Sequence, residues 1–161
     1  MPEPALRGGG VLVEVLAAHL PAYTKAVVKG NRGGLPVPLT LGPSCVGRVL
    51  DVAPDVFHVA PGDIVLDTAL LDAGEGDEIL VGWVGLGGSG DGSARTDRMR
   101  AVWRDGVFAE KALCPKETMI KLPGAEHHPD LARLAFLPWL CIAAAGLHAA
   151  GSLTGRDVAV L

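Results

Sequence analysis

Aromatic residues are scarce in this chain: three Trp, three Phe and one Tyr account for 4% of 161 residues. A core must therefore be built from Val, Leu and Ala, and little stacking surface is left for single-stranded nucleic acid. There is no basic excess either, since 14 Lys and Arg face 18 Asp and Glu for a net charge of −4. That balance argues against a nucleic-acid or other polyanionic partner, and no block of like charge forms an interaction tail. Cysteine is sparse and odd in number, with Cys45, Cys114 and Cys141 far apart and no CxxC pair. A disulfide framework is thus not expected, and a reducing, cytoplasmic compartment is. Residues 1–10 lack the apolar core of a secretory signal, so the mature chain is expected to start here.

One stretch lacks charge altogether. Residues 134–155, LAFLPWLCIAAAGLHAAGSLTG, are numerous enough to span a bilayer. Pro138 and Gly146 interrupt the run, His148 is polar, and the middle is rich in Ala rather than Leu, Ile and Phe. A buried helix is expected there, with no membrane partner. What the chain has in quantity agrees with this. Hydrophobic residues at 49% and charged residues at 20% suit one compact domain with an apolar core. The 22 Gly and 12 Pro predict many tight turns.

Apolar spacing places a strand over residues 11–16, VLVEVL, where Val11, Val13 and Val15 share a face. A short helix is expected between Pro21 and Lys29, ended by Gly30 in a left-handed position. Residues 45–52, CVGRVLDV, read as a second strand in which Gly47 marks a close approach or a bulge. Pro61-Gly62 forms a turn into a third strand at residues 64–66. Further strands are expected over residues 107–114 and 119–122, while residues 72–104 read as a loop-rich excursion. Asp130 can cap a helix, and Pro138 splits the helical region in two, the second part running from about Trp139 to Ala150 before Gly151. Residues 157–161, DVAVL, then open an apolar strand, the start of a β-α-β unit.

Five segments in this order resemble the N-terminal, GroES-like domain of the medium-chain dehydrogenase/reductase superfamily, which includes alcohol dehydrogenases and quinone reductases. They are VLVEVLAA (11–18), LGPSCVGRVLDV (41–52), VAPGDIVL (59–66), DGVFAEKALCPKETMIKLP (105–123) and IAAAGLHAAGSLTGRDVAVL (142–161). The resemblance implies a β-rich α+β fold: a partly open GroES-like barrel over residues 1–125, then linking helices and the first strand of a truncated Rossmann domain over residues 126–161. It further implies the substrate-side portion of an NAD(P)H-dependent oxidoreductase, with a small carbonyl or activated alkene as substrate. NADPH or NADH is expected for the complete enzyme and none for this chain alone. Residues 134–161 are expected to need cover, leaving the chain prone to self-association.

In zinc-dependent members of that superfamily, a Cys after the first strand and a His in a Gly-His-Glu triplet hold the catalytic metal. The matching positions here are Pro21 and Pro43, with Ser44 at the Glu position. Proline offers no donor atom, and the third ligand, near residues 138–141, has no certain match. The lobe that carries a structural zinc in many members falls in residues 72–104, which hold no Cys. The resemblance is therefore closest to the zinc-independent type, and no zinc is expected. Members of that type often have Asn near Pro21, Asp near Thr24 and Thr-Ala-Tyr near residues 142–144; this chain departs at all three.

Substrate-pocket candidates are Tyr23 and Thr24, which follow the first strand, Ser44, and Trp139 ahead of the second helix. Tyr23 is the only Tyr, so a phenolic proton donor from this domain would have to be this residue, with helix packing as the plainer role. His19 lies near the same cleft, whereas His58 and His148 stand alone. His127-His128, beside Glu126 and Asp130, reads as a solvated turn rather than a metal patch. Cys45 reads as a small buried residue, and Ser44 has no G-x-S-x-G elbow around it. Gly85-Leu86-Gly87-Gly88-Ser89-Gly90 satisfies G-x-G-x-x-G, but the polar DGSARTDRMR that follows has no apolar stripe for the helix a pyrophosphate site needs, so a loop is expected. A stand-alone, non-catalytic module that binds a partner through residues 134–161 is the alternative function.

Overall fold

The computed structural model describes residues 3–32, 35, 37–74, 76–84 and 93–151. Strand β1 (Gly10–Ala18) pairs antiparallel with β2 (Cys45–Val52), and β2 with β3 (Ile64–Asp67). Two short strands, β4 (Leu70–Asp72) and β5 (Glu78–Leu80), form a separate hairpin. Strand β6 (Lys111–Pro115) pairs with the free side of β1, and β7 (Met119–Lys121) with the free side of β3. The main sheet thus has the order β6-β1-β2-β3-β7. Its two edges are consecutive in the chain, joined only by the 3-10 turn Lys116–Thr118. A flat sheet would hold those edges about four strand spacings apart, on the order of 19 Å, too far for three residues in a tight turn. The sheet therefore curls into a partly open barrel, the expected β-rich α+β architecture.

Alternation along the strands sorts side chains to the two faces. Val11, Val13, Cys45, Val49, Val65, Ala112 and Cys114 fill the interior, while Val46, Ile64 and Leu66 point outward. The outward face is covered by helix α3 (Leu131–Leu134) and its neighbours Leu122 and Ala135. Because β3 is buried on both faces, it reads as a continuous apolar run, Ile64 to Leu66, before Asp67, whereas β2 is buried on both faces only at Cys45, Val46 and Gly47. A buried carboxyl crosses the interior: Asp67 on β3 accepts a contact from the Cys114 thiol on β6 at 3.7 Å.

The expected β2 matches the observed one residue for residue. At Gly47 both anticipated features occur together: the β1–β2 register shifts between Val15 and Ala17, and a Cβ on Gly47 would lie 2.9 Å from the Glu14 carbonyl. Gly62 has φ +93, and Asp63 N–H donates to the Ala60 carbonyl at 3.1 Å, as the Pro-Gly turn requires. Helix α1 (Thr24–Val28) is shorter than expected but ends before Gly30 at φ +74. The strand expected to start at Val107 begins only at Lys111, because the amides of Val107 and Phe108 are engaged by Gly42 and Leu41 carbonyls outside any ladder.

Residues 72–104 are more ordered than the loop-rich reading allows. They contain β5 and helix α2 (Ala94–Val102), whose N-terminus is capped by Ser93 Oγ accepting from Thr96 N–H at 3.2 Å. Met99 and Trp103 pack it on Ala69, Leu71, Ile79 and Val81. Its buried positions include the polar Thr96 and Arg100, so the helix leaves no apolar periodicity to detect. The G-x-G-x-x-G segment lies outside the described residues, as does the strand expected at 157–161. Helix α4 (Leu137–Ala149) begins with Pro138 in its first turn and stops before Gly151 at φ +76. The expected burial of this helix is overturned: none of its residues is buried, and Leu140 and Ile142 are 55% and 66% exposed. Only its first turn reaches the barrel, so the remaining faces have no apolar partner among the described residues. No helix among the described residues is long and apolar enough to cross a membrane.

Three loops meet at one end of the barrel through glycine. Gly42 N–H donates to the Gly82 carbonyl at 3.1 Å, and Gly106 N–H to the Thr40 carbonyl at 2.8 Å. A Cβ on Gly106 would fall 2.3 Å from the Gly42 carbonyl oxygen, backbone that cannot swing aside. Gly106→Ala is expected to destabilise the fold by about 3 kcal/mol or more. Gly8→Ala, where nothing lies within 4 Å, should change stability by less than about 0.5 kcal/mol. Urea unfolding of the two variants checks the contrast.

Candidate functional site

The candidate residues gather where β1 leaves the sheet. After Ala18 the chain runs through His19, Leu20 and Pro21 into α1, and Tyr23 stands at the N-terminal boundary of that helix. Pro21 fixes the turn: its carbonyl accepts from Thr24 N–H at 2.9 Å and from the Thr24 hydroxyl at 2.6 Å. Thr24 therefore uses its proton locally, to start the helix. Cys45 pairs with Ala18, so Ser44 and His19 leave the sheet at the same end.

Tyr23 belongs to an aromatic group that the sequence reading did not assemble. The Trp83 indole N–H donates to the Tyr23 hydroxyl oxygen at 3.3 Å, with ring centroids 5.8 Å apart. Phe108 meets the other side of Trp83 edge-on at 6.2 Å. The Arg32 guanidinium lies 4.4 Å over the Tyr23 ring, a favourable placement against the π face. Trp83 is fully buried, so its single donor depends on that phenolic oxygen. Because the phenol accepts here, its own proton remains free to donate. Trp83 escaped notice within the apolar run 79–84, where a large aromatic beside Gly82 was the available signal.

Trp139 and Ser44 stand apart from that group. Trp139 meets His19 at 5.4 Å, and Phe136 meets the same imidazole at 4.5 Å, both edge-on. This contact holds the start of α4 against the exit of β1. Ser44 is 2% exposed, and its hydroxyl has no hydrogen-bond partner among the described residues. The structure thus brings Tyr23 and Thr24 together and joins Trp139 to His19, with Ser44 placed by register at the same end of the sheet.

The positions that would hold a metal do not fit one. Pro21, Pro43 and Ser44 are all buried, and none supplies a nitrogen or sulfur donor. Among the described residues no group of three His, Cys, Asp or Glu side chains is arranged to hold a metal ion. His127 is paired loosely with Glu126 at 3.7 Å, and His128 Nδ1 accepts from Asp130 N–H at 3.1 Å, as in a solvated turn. Cys45 and Cys114 are buried free thiols, and burial pushes both well above the usual thiol range, with the nearby Asp67 charge adding to it. Burial likewise raises Asp67 to about 6, against the opposing hydrogen bonds from Thr118, Ala69 and Cys114. Every strand pairing among the described residues is antiparallel.

A cleft of about 510 Å³ lies elsewhere, between residues 3–7, the end of α2 and β6. Its charged groups are already engaged. Lys111 pairs with Glu3, Arg104 with Asp105, and Arg7 stacks on Trp103 while donating to the Val102 carbonyl at the helix end. None of the four pocket candidates lines it.

Comparison with known proteins yields one family match: the alcohol dehydrogenase GroES-like domain, over residues 7–124. No curated protein matches the chain. Among solved structures, the cobalt- and zinc-bound thermostable alcohol dehydrogenase from Pyrobaculum aerophilum is similar at 26% identity and TM-score 0.60, over 84% of this chain and 38% of that one. Glucose dehydrogenase from Haloferax mediterranei is similar at 23% identity and TM-score 0.63, over 98% of this chain and 43% of that one. Galactitol-1-phosphate dehydrogenase from Escherichia coli is similar at 21% identity and TM-score 0.61, over 84% and 36%. The chain therefore spans less than half the length of each of these structures.

Tyr23→Phe should keep the ring contacts while leaving the Trp83 N–H buried without an acceptor, a loss of about 1–3 kcal/mol. Trp83→Ala should cost more, about 3–5 kcal/mol, because it opens a cavity in the same group. Thermal or urea unfolding of both variants checks the order.

Proposed function

Since the chain belongs to the alcohol dehydrogenase GroES-like domain family, we propose that it is the substrate-side domain of a zinc-independent NAD(P)H-dependent oxidoreductase, acting on a small carbonyl or an activated alkene. The observation that carries the zinc-independent part is the pair Pro21 and Pro43, buried with Ser44 at the positions where zinc-dependent members hold their metal. The bound nicotinamide would supply the hydride, and it would be held by a part of the enzyme other than the antiparallel barrel. This domain's own contribution is a wall of the substrate pocket. Tyr23 and Thr24 stand at the start of α1, and the Tyr23 phenol has a proton to give. Ser44 has an unmade hydrogen bond in a buried place, which costs about 1–3 kcal/mol until a substrate oxygen supplies it.

Helix α4 supports a larger assembly. It carries no charged residue, and a helix that is apolar all round belongs in an interior. In this reading the cofactor-binding part of the enzyme covers it, and in the isolated chain a second copy does. Three free cysteines fit a reducing, cytoplasmic setting. The same exposed helix is what favours the second reading, a non-catalytic module whose partner protein takes that face. Coding sequence continuing in frame past Leu161 into a dinucleotide fingerprint separates the two.

Three measurements test the first reading. A fluorescence titration of the 161-residue chain with NADPH should show no binding in the micromolar range; saturation there contradicts the division of labour. Metal analysis of the purified chain should find far less than one zinc per chain, and one tightly held zinc overturns the zinc-independent reading. Sedimentation should show self-association that Leu140→Lys abolishes; a clean monomer with no dye binding removes the argument from α4.

A further inference from the structure

We infer that Asp67 and the left-handed Ala69 form a proton-controlled mount for the Trp83–Tyr23 pair, opening when the Asp67 carboxyl loses its proton. The chain passes from the barrel to the β4–β5 hairpin in a single step, Asp67-Thr68-Ala69. Ala69 has φ +57 and is fully buried, a backbone state that a residue with a Cβ holds only when its surroundings impose it. The Asp67 carboxyl does so directly: one oxygen accepts from the Ala69 N–H at 2.9 Å, the other from the Cys114 thiol at 3.7 Å. Thr68 is held by the Thr118 carbonyl through its N–H at 3.0 Å and its hydroxyl at 3.3 Å. Beyond the turn, the Ala69 carbonyl accepts from Val81 N–H at 2.9 Å, and Val81 stands two residues before Trp83. Strain and carboxyl are therefore linked by hydrogen bonds as far as Val81, and from there by two residues of chain to the aromatic pair.

Among the described residues no cation faces Asp67. The titratable groups that face it are the thiols of Cys45 on β2 and Cys114 on β6; Thr118 on the turn between β6 and β7 adds a hydroxyl. That hydroxyl also donates to the Pro115 carbonyl at 2.9 Å, and its hydrogen bond to the carboxylate only partly offsets the burial. Burial raises the carboxyl to about 6, which supports a change within an ordinary pH range. The sign follows from linkage. Below the unfolded carboxyl range the group is neutral in the closed and open forms alike. As pH rises to about 6 the open form ionises first, so opening becomes easier, and above that value the effect levels off. Opening also releases the strain at Ala69, so both terms act in the same direction.

Hydrogen exchange of the full chain tests this. Protection of the Ala69 and Val81 amides should fall by about a hundredfold between pH 4 and pH 7, after correction for intrinsic rates. It should also lie below that of Val49, whose amide is bonded to the Asp63 carbonyl within the barrel. In Asp67→Asn the pH dependence should vanish. Ala69→Gly keeps the carboxyl and relieves the strain, so it should raise protection at every pH with the dependence retained. Emission from Trp83, read in a Trp103→Phe, Trp139→Phe background, should shift over the same interval. The inference is overturned if Ala69 and Val81 exchange together with Val49 at all pH values, if Asp67→Asn retains the dependence, or if Ala69→Gly loses it. Trp83 emission that is constant with pH overturns the link to the aromatic pair. None of these outcomes depends on the enzyme's substrate or cofactor.

Discussion

Three residues, Lys116–Thr118, join the two edge strands of the main sheet, and that short link governs much of the architecture. Five antiparallel strands have no reason of their own to close. With β6 and β7 tied so tightly, the sheet has to curl until its first and last members approach, and curling gives it an inside. Small branched side chains suit that space, which is why a chain nearly without aromatics can still fill a core with Val, Ala and Cys. The closure also brings β3 opposite β6, so Asp67 meets Cys114 across the interior although neither strand pairs with the other. The carboxyl is confined there by topology, and its neighbours are thiols and a hydroxyl rather than a positive charge.

The candidate site follows from the same geometry. Strand β1 lies between β6 and β2, and its exit carries His19, Pro21 and Tyr23 into α1 at one end of the barrel. The loops from β2, β5 and β6 converge there too, held by backbone contacts at Gly42, Gly82 and Gly106 that no side chain could occupy. Trp83 and Phe108 follow two of those glycines, so the glycine junction sets where the aromatic partners of Tyr23 stand. The aromatic group built in this way rests on rigid strands and a fixed junction.

How much of this was legible depended on periodicity. Strand β2 was read without error because its apolar residues alternate against Arg48, with Gly47 and Pro54 as punctuation. The Pro61-Gly62 turn and the helix end before Gly30 were legible because only a few residue types take those backbone angles. Helix α2 was not, since its apolar contacts with the core come from Met99 and the adjoining Trp103, its other buried positions are polar, and no stripe results. The burial of α4 was expected from its composition, but composition reports what a helix needs covered and says nothing about whether a cover is present. In the site, Tyr23, Thr24, Ser44 and Trp139 were chosen from their places along the chain. Trp83 and Phe136 were not, and His19 was noted near the cleft without its contact to Trp139, because each contact joins segments distant in sequence.

Local chemistry in the sequence was enough to determine the strands of the main sheet, the Pro61-Gly62 turn, the Asp130 cap and the helix ends before Gly30 and Gly151. These are properties of residues and their immediate neighbours: alternation and a restricted φ. The tertiary structure alone decided that Asp67 lies inside the barrel, that the indole of Trp83 donates to Tyr23, and that Ser44 is buried without a partner among the described residues. Each of those depends on closing the sheet, and closure is a relation between β6 and β7 on one side and β1 and β3 on the other, which no local pattern encodes.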